Sequence, residues 1–114
     1  MEQVLLVLTN LPDANSARAL AHLLVESRLA ACVNLLPAVQ SIYHWQGAVE
    51  QASETTLLIK TTRRHYAQLQ QAIVSNHPYE VPEVIALPVS DGHLPYLRWV
   101  ATETSPDSAA GDHA

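Results

Sequence analysis

Between His77 and Glu83 the sequence HPYEVPE sets an imidazole, a phenol and two carboxylates beside two prolines. Nitrogen and oxygen donors this close together form a ligand set that Cu(II) or Zn(II) accepts, because borderline divalent metals take imidazole together with carboxylate. The same residues have a plainer use. Pro78 disfavours helical backbone at His77, so a preceding helix must stop near Asn76, and an imidazole at a helix C-terminus is favoured by the dipole. Both readings of His77 stand on the sequence alone.

Two further side chains carry chemistry. Lys60 follows the apolar run Leu57–Ile59. It either snorkels to solvent or pairs with a carboxylate such as Glu83 in a partly buried cleft. In the second case the two have the makings of an acid–base pair, but no substrate-positioning motif accompanies them. Cys32, the single cysteine, lies between Ala31 and Val33 with no basic neighbour to stabilise a thiolate, which fits a buried structural thiol better than a nucleophile or ligand. His22, His44, His65, His93 and His113 read as solvated. No CxxC, HExxH, Gly-rich phosphate loop or nucleophile elbow occurs, so the chain is not expected to be an enzyme.

The elements that must position these residues follow from periodicity. Val4–Leu8 is a continuous apolar run of the kind found in a covered strand, and a helix with Ala17, Leu20, Ala21 and Leu24 on one face should follow, capped by Asp13 or Asn15 and ending near Arg28. Residues 30–37 read as a second strand. It resumes after Pro37 past a bulge or bend, turns at Gln46 and Gly47, and returns through AVEQASETTLLIKTT, which makes an unusually long hairpin. A second helix is expected from Arg64 to Asn76, then a core strand EVIALPV with Pro88 forcing a bulge or an edge, and a short helix in LPYLRWVATE.

The order βαββαβ plus a helix predicts an α+β, ferredoxin-like split βαβ fold with both main helices on one face of the sheet. The other face is then bare, and a bare face with an overlong hairpin predicts a closed homo-oligomer. Tyr43 and Trp45 near the hairpin tip fit subunit contact, since aromatics with a polar handle are enriched at interfaces.

At 114 residues and 48% hydrophobic, the chain suits one domain over residues 1–103, with a polar and aperiodic stretch 104–114 expected to be disordered. A net charge of -5 with 6 Lys+Arg excludes a phosphate-binding surface and hence nucleic acid. The opening VLLVLTNL is too short to span a bilayer and lacks a basic leader, so no membrane partner is expected. A lone cysteine fits a reducing compartment, which predicts a cytoplasmic protein.

AACVN at residues 30–34, Pro37, SIYHWQGAVE at 41–50, LLIKTT at 57–62, HPYEVPEVIALPV at 77–89 and YLRWV at 96–100 occur in that order over nearly the whole chain. Together they resemble the CutA family, the divalent-cation tolerance proteins. The resemblance implies a ferredoxin-like subunit in a tight homotrimer whose hairpins pack on neighbours, a link to copper and other divalent metals, and no enzymatic activity. Family members that bind copper carry a Cys at the end of the first strand and a His-His pair before Pro-Tyr. The matching positions here are Thr9, Asn76 and His77, so one ligand survives, and losing a thiolate and an imidazole should weaken copper binding. Cys32 matches the family's strand cysteine. The resemblance also places His77, Tyr79 and Glu83, with Lys60 and Cys32, in an intersubunit groove. The alternative is a trimeric PII-like ligand sensor or protein-binding scaffold in which metal binding is incidental.

Overall fold

The computed structural model describes residues 2–105. In chain order these form β1 (Val4–Leu11), α1 (Ala14–Glu26), β2 (Cys32–Trp45), β3 (Ala48–Thr62), a 3-10 turn (Arg63–His65), α2 (Tyr66–Ser75), β4 (Ile85–Pro88) and α3 (Leu94–Glu103). The four strands make one sheet in the order β2-β3-β1-β4, and every neighbouring pair is antiparallel. Here β3 lies between β1 and β2, which are joined through α1, the split βαβ arrangement of the ferredoxin-like fold.

Alternation along the strands decides what each face carries. Leu5, Val7, Thr9 and Leu11 of β1 and Leu57 and Ile59 of β3 point to the helix side. There Leu5, Val7, Leu11, Leu57 and Ile59 form the main core with Ala17, Leu20 and Leu24 of α1 and Leu69 and Ile73 of α2. The side chains one residue out of phase face the other way: Leu6 and Leu8, their β3 partners Lys60 and Leu58, and their β4 partners Leu87 and Ile85. Helix α3 covers one end of this second face, packing Val100 against Val4 and Ala31. The rest is uncovered, with Ile85 50% and Leu87 47% exposed.

Several boundaries differ from expectation for local reasons. Helix α1 is capped by Asp13, whose carboxylate accepts from the Ser16 N–H at 2.7 Å. It ends at Glu26, short of Arg28. Arg28 takes a left-handed φ of 65°, and the Leu29 and Arg28 N–H groups return to the Leu24 and Val25 carbonyls, the hydrogen-bond pattern of a Schellman cap. Helix α2 begins only at Tyr66, after the 3-10 turn, and His65 is buried there and not solvated. The last strand is four residues at the sheet edge and not a core strand over 83–89. Pro82 and Pro88 can donate nothing to a ladder, which suits an edge position. Thr104 is buried, with its hydroxyl donating to the Val100 carbonyl at 2.9 Å, so the packed structure runs past residue 103. The remainder of the stretch expected to be disordered, residues 106–114, lies outside the described residues.

The hairpin of β2 and β3 has arms of 14 and 15 residues. Leu36 pairs with Thr56 but Val39 with Glu54, so β2 carries one extra residue at Pro37–Ala38, where Ala38 has a φ of 59°. Such a bulge inverts the alternation beyond it. Cys32, Asn34 and Leu36 on the uncovered face are therefore continued by Val39, Ser41, Tyr43 and Trp45. The tip turns through Gln46 (φ 50°) and Gly47 (φ 82°), two left-handed residues whose twist suits a two-residue hairpin turn. A Cβ at position 47 would meet nothing within 4 Å. Gly47→Ala is accordingly expected to cost about 1 kcal/mol through backbone strain alone, read as a lower urea midpoint with an unchanged m-value.

Candidate functional site

Where β1 ends, the segment after α2 folds back across the sheet and meets the hairpin along the stretch from Glu54 at its root to Trp45 beside its turn. Between them lies a cleft of ≈ 690 Å³, lined by Asn10 of β1, Ser41, Ile42, Tyr43 and Trp45 of β2, Glu54 of β3, and Pro78, Tyr79, Glu80, Val81 and Glu83 of the returning segment. Its walls are aromatic and its charge is acidic, with three carboxylates and no basic side chain in the lining.

Asn10 holds the parts together. Its carbonyl is 2.8 Å from His77 Nε2, its Oδ1 accepts from the Thr56 hydroxyl at 2.5 Å, and its Nδ2 donates to Glu83 Oε1 at 3.3 Å. His77 is fixed from both sides, because its Nδ1 accepts the Tyr79 N–H at 3.1 Å. An Nδ1 that accepts carries no proton, so the proton sits on Nε2 and is donated to Asn10. Burial then holds the imidazole below the ordinary histidine value, opposed by the bond to Asn10 and the charge of Glu54. Neither nitrogen offers a free lone pair to a metal.

Tyr79 stacks obliquely on His77, with ring centroids 4.9 Å apart, and donates its hydroxyl to Glu54 Oε2 at 2.8 Å. Burial, then that bond to Glu54, pushes the Tyr79 phenol far above its ordinary range, so it remains a donor. Glu54 itself is only 8% exposed.

Of the residues singled out in the sequence, His77, Tyr79, Glu83, Tyr43 and Trp45 gather at or beside this cleft. Cys32 and Lys60 do not. They are paired with each other across β2 and β3. Lys60 pairs with Leu6 on β1, four residues before Asn10, and so lies roughly 13 Å along the strands from Glu83's partner. Of the two readings of Lys60, the pair with Glu83 is therefore not formed within the chain: the Lys60 ammonium donates to Asn34 Oδ1. Glu83 precedes the last strand and is not part of it. The other family ligand positions are also occupied elsewhere. Thr9 is fully buried on the helix side of β1, and Asn76 caps α2 by donating its side-chain N–H to the Ala72 carbonyl at 2.8 Å. Among the described residues no three His, Cys, Asp or Glu side chains converge to hold a metal ion. The donor set thus does not fit copper at the family positions.

Asn10 and Glu54 belong to the cleft and attract no notice as sequence, whereas Glu80 is visible only as one of the two carboxylates of HPYEVPE. Asn10 reads as a turn residue. Glu54 carried one usable signal, since alternation puts it on the face of Thr56, Leu58 and Lys60 in a strand whose apolar run is Leu57–Ile59.

Residues 5–103 match the family model described as the CutA1 divalent ion tolerance protein. The divalent-cation tolerance protein CutA of Thermus thermophilus is 45% identical over 104 residues, covering 91% of this chain and 99% of that protein. Its solved structure superposes with a TM-score of 0.86 over 92% of this chain and 100% of that one. Human protein CutA is 50% identical over 99 residues, 85% of this chain, of which the chain spans 55% of the length. The expected cytoplasmic location does not stand. A relative from Archaeoglobus fulgidus, 28% identical with a TM-score of 0.85, is named periplasmic, and one from Arabidopsis thaliana, 40% identical over 100 residues, is named chloroplastic. One fold therefore serves in several compartments, and a lone cysteine does not choose among them. With its sheet order, its long hairpin and nearly all of its described length matched, this chain belongs to the CutA1 divalent ion tolerance protein family.

Proposed function

We propose that the chain serves as a homotrimer in the response of its cell to divalent metal ions, copper among them, as a binding and assembly protein and not an enzyme, with the cleft at the hairpin root as its binding site. The observation that carries this reading is the uncovered sheet face. Leu6, Leu8, Leu58, Leu36, Ile85 and Leu87 line one side of the sheet with no helix over them, and it continues into a two-stranded arm that has no core of its own. A two-stranded ribbon is marginal in water, and apolar sheet faces are stable only when covered. Cys32 and Lys60 lie on this face and fall to the subunit contact; Tyr43 and Trp45 border both the contact and the cleft.

For copper, Asn10 and Tyr79 compete with the metal at His77. An ion that took either nitrogen would have to break a bond to backbone, and neither Thr9 nor Asn76 offers a replacement ligand. Direct copper binding at this position is weak in this reading, and metal tolerance runs through the assembly. The same geometry favours the PII-like alternative, in which the cleft senses an organic ligand and metal binding is incidental.

Sedimentation should give three times the 12.5 kDa chain mass. Ile85→Glu, which puts a charge on the uncovered face, should return the mass to that of one chain with an unchanged far-UV circular dichroism spectrum, whereas a monomeric wild type ends the trimer reading. Calorimetric titration with Cu(II) should find weak binding that His77→Ala leaves unaltered. Tight binding near one ion per chain, lost in that variant, would restore His77 as a ligand. A proton competes in the same way. The folded state depresses the His77 value below 6.5, so the stability it contributes is full above pH 6.5 and is lost as pH falls through the folded value. Urea unfolding at pH 7.5 and pH 5 should show this loss, and the loss should shrink in His77→Ala.

A further inference from the structure

Glu54 is a carboxylate that is nine-tenths buried, and among the described residues its one hydrogen bond to a side chain comes from the neutral Tyr79 hydroxyl. No Lys, Arg or His among the described residues stands within ion-pair distance of it; the ion pairs there are His22 with Glu26 and Arg28 with Glu103. Buried charges are ordinarily paired, because removing an ion from water carries a penalty that a neutral donor only partly returns. Tyr79 engages Oε2, and among the described residues no donor reaches Oε1, which is not among the fully enclosed atoms left without a partner. That oxygen belongs to a residue lining an open cleft whose other charged groups, Glu80 and Glu83, repeat its sign.

From this geometry we infer that the cleft at the hairpin root binds a small organic cation, an alkyl ammonium or guanidinium group, whose N–H donates to Glu54 while its carbon chain lies between Tyr43, Trp45 and Tyr79. The inference rests on reading the cleft as the binding site and names the class of its ligand.

Three observations select this class. A bare metal ion needs several oxygen or nitrogen donors around one point, and no such convergence of His, Cys, Asp and Glu exists among the described residues. Aromatic faces attract cations that shed water readily, which alkylated and guanidinium cations do and small divalent ions do not. The cleft, at ≈ 690 Å³, has the dimensions of small-molecule pockets and far exceeds what one basic side chain from a neighbouring copy would fill. An anionic metabolite is disfavoured by the three carboxylates, and Lys60, the basic residue once expected beside them, is held at Asn34.

Tyr79 is a positioning residue in this site. Its hydroxyl orients the Glu54 carboxylate, and its backbone N–H and ring tie the wall to His77 and so to Asn10. Ligand occupancy is thereby linked to the junction between α2 and β4.

The test is calorimetry on the full chain with 1,5-diaminopentane and agmatine as cationic probes, and 1-pentanol and glutarate as neutral and anionic controls, in the wild type, Glu54→Gln and Tyr79→Phe. Solution mass and thermal midpoint are recorded on each sample. Both cations should bind and both controls should not. Glu54→Gln, which keeps the shape and an acceptor for Tyr79, should weaken the cations about tenfold or more, the effect of a lost charge-assisted hydrogen bond. Tyr79→Phe should weaken them less, and Trp45 fluorescence should respond to the cations in parallel. Cation binding unaltered in a folded Glu54→Gln overturns the inference. So does binding of pentanol or glutarate in place of the amines, which would leave the cleft as the site but assign it another ligand class. If no probe binds and Glu54→Gln instead lowers the solution mass, the missing cation is a basic side chain of a second copy, and the cleft falls both as a small-ligand site and as the binding site.

Discussion

Asn10 is the residue through which the working end of the molecule is assembled. Its backbone carbonyl receives the His77 imidazole, its side-chain oxygen receives Thr56, and its side-chain nitrogen reaches Glu83, so one residue ties β1 to β3 and both to the segment after α2. These are polar bonds at the end of a sheet whose core is otherwise aliphatic, and they give geometry more than stability, since a typical hydrogen bond nets about 1 kcal/mol. The returning segment is held besides by the Tyr79 bond to Glu54 and by Val84 against the main core. Pro78 and Pro82 lack donors, Val81 is exposed, and β4 resumes pairing only at Ile85. Without the bond from His77 to Asn10, nothing in the local sequence would set the angle at which Tyr79 meets Glu54.

The second organising constraint is the asymmetry of the sheet. Two helices bury the central part of one face, and α3 covers only one end of the other. Among the described residues no further helix covers the remaining area, and Ile85 and Leu87 of β4 stay half exposed there. The bulge at Pro37–Ala38 extends the same face outward along the hairpin, because the extra residue brings Tyr43 and Trp45 onto the side occupied by Leu36 and Asn34. One irregularity in β2 thus connects the surface proposed for assembly with the cleft proposed for binding. The two share residues, and occupancy of one bears on the other.

The imidazole at the centre of the motif illustrates how a side chain can have the right type and the wrong surroundings. His77 is the one residue here that matches the ligand set implied by the family resemblance, yet its two nitrogens are consumed by backbone partners 2.8 and 3.1 Å away. The buried carboxylate with no ion pair among the described residues is Glu54, which no motif contains. Chemistry in this protein therefore follows from what is left unpaired after folding, not from which residue types are conspicuous.

Element order, the long hairpin with its turn at Gln46 and Gly47, the bulge after Pro37, the stop at Asn76 and the ferredoxin-like class were legible in the sequence. Each depends on local sterics or on the period of apolar residues, and both act between near neighbours in the chain. The inward residues of α1 and the burial of Val100 were legible for the same reason. The Lys60–Glu83 pair, the core character of the last strand and the solvated state of His65 were not, because each depends on where residues distant in sequence come to rest. Strand register separates Lys60 from Glu83, sheet order puts β4 at an edge, and packing buries His65. What the sequence by itself determined is the set of elements, their order and which face of each is apolar, since these are written in residue type and spacing. Only the tertiary structure decided that Asn10, Glu54 and Tyr79 meet, that the His77 nitrogens are occupied and that Glu54 is buried without a cation, because hydrogen-bond partners and desolvation exist only once strands 46 residues apart in sequence lie side by side.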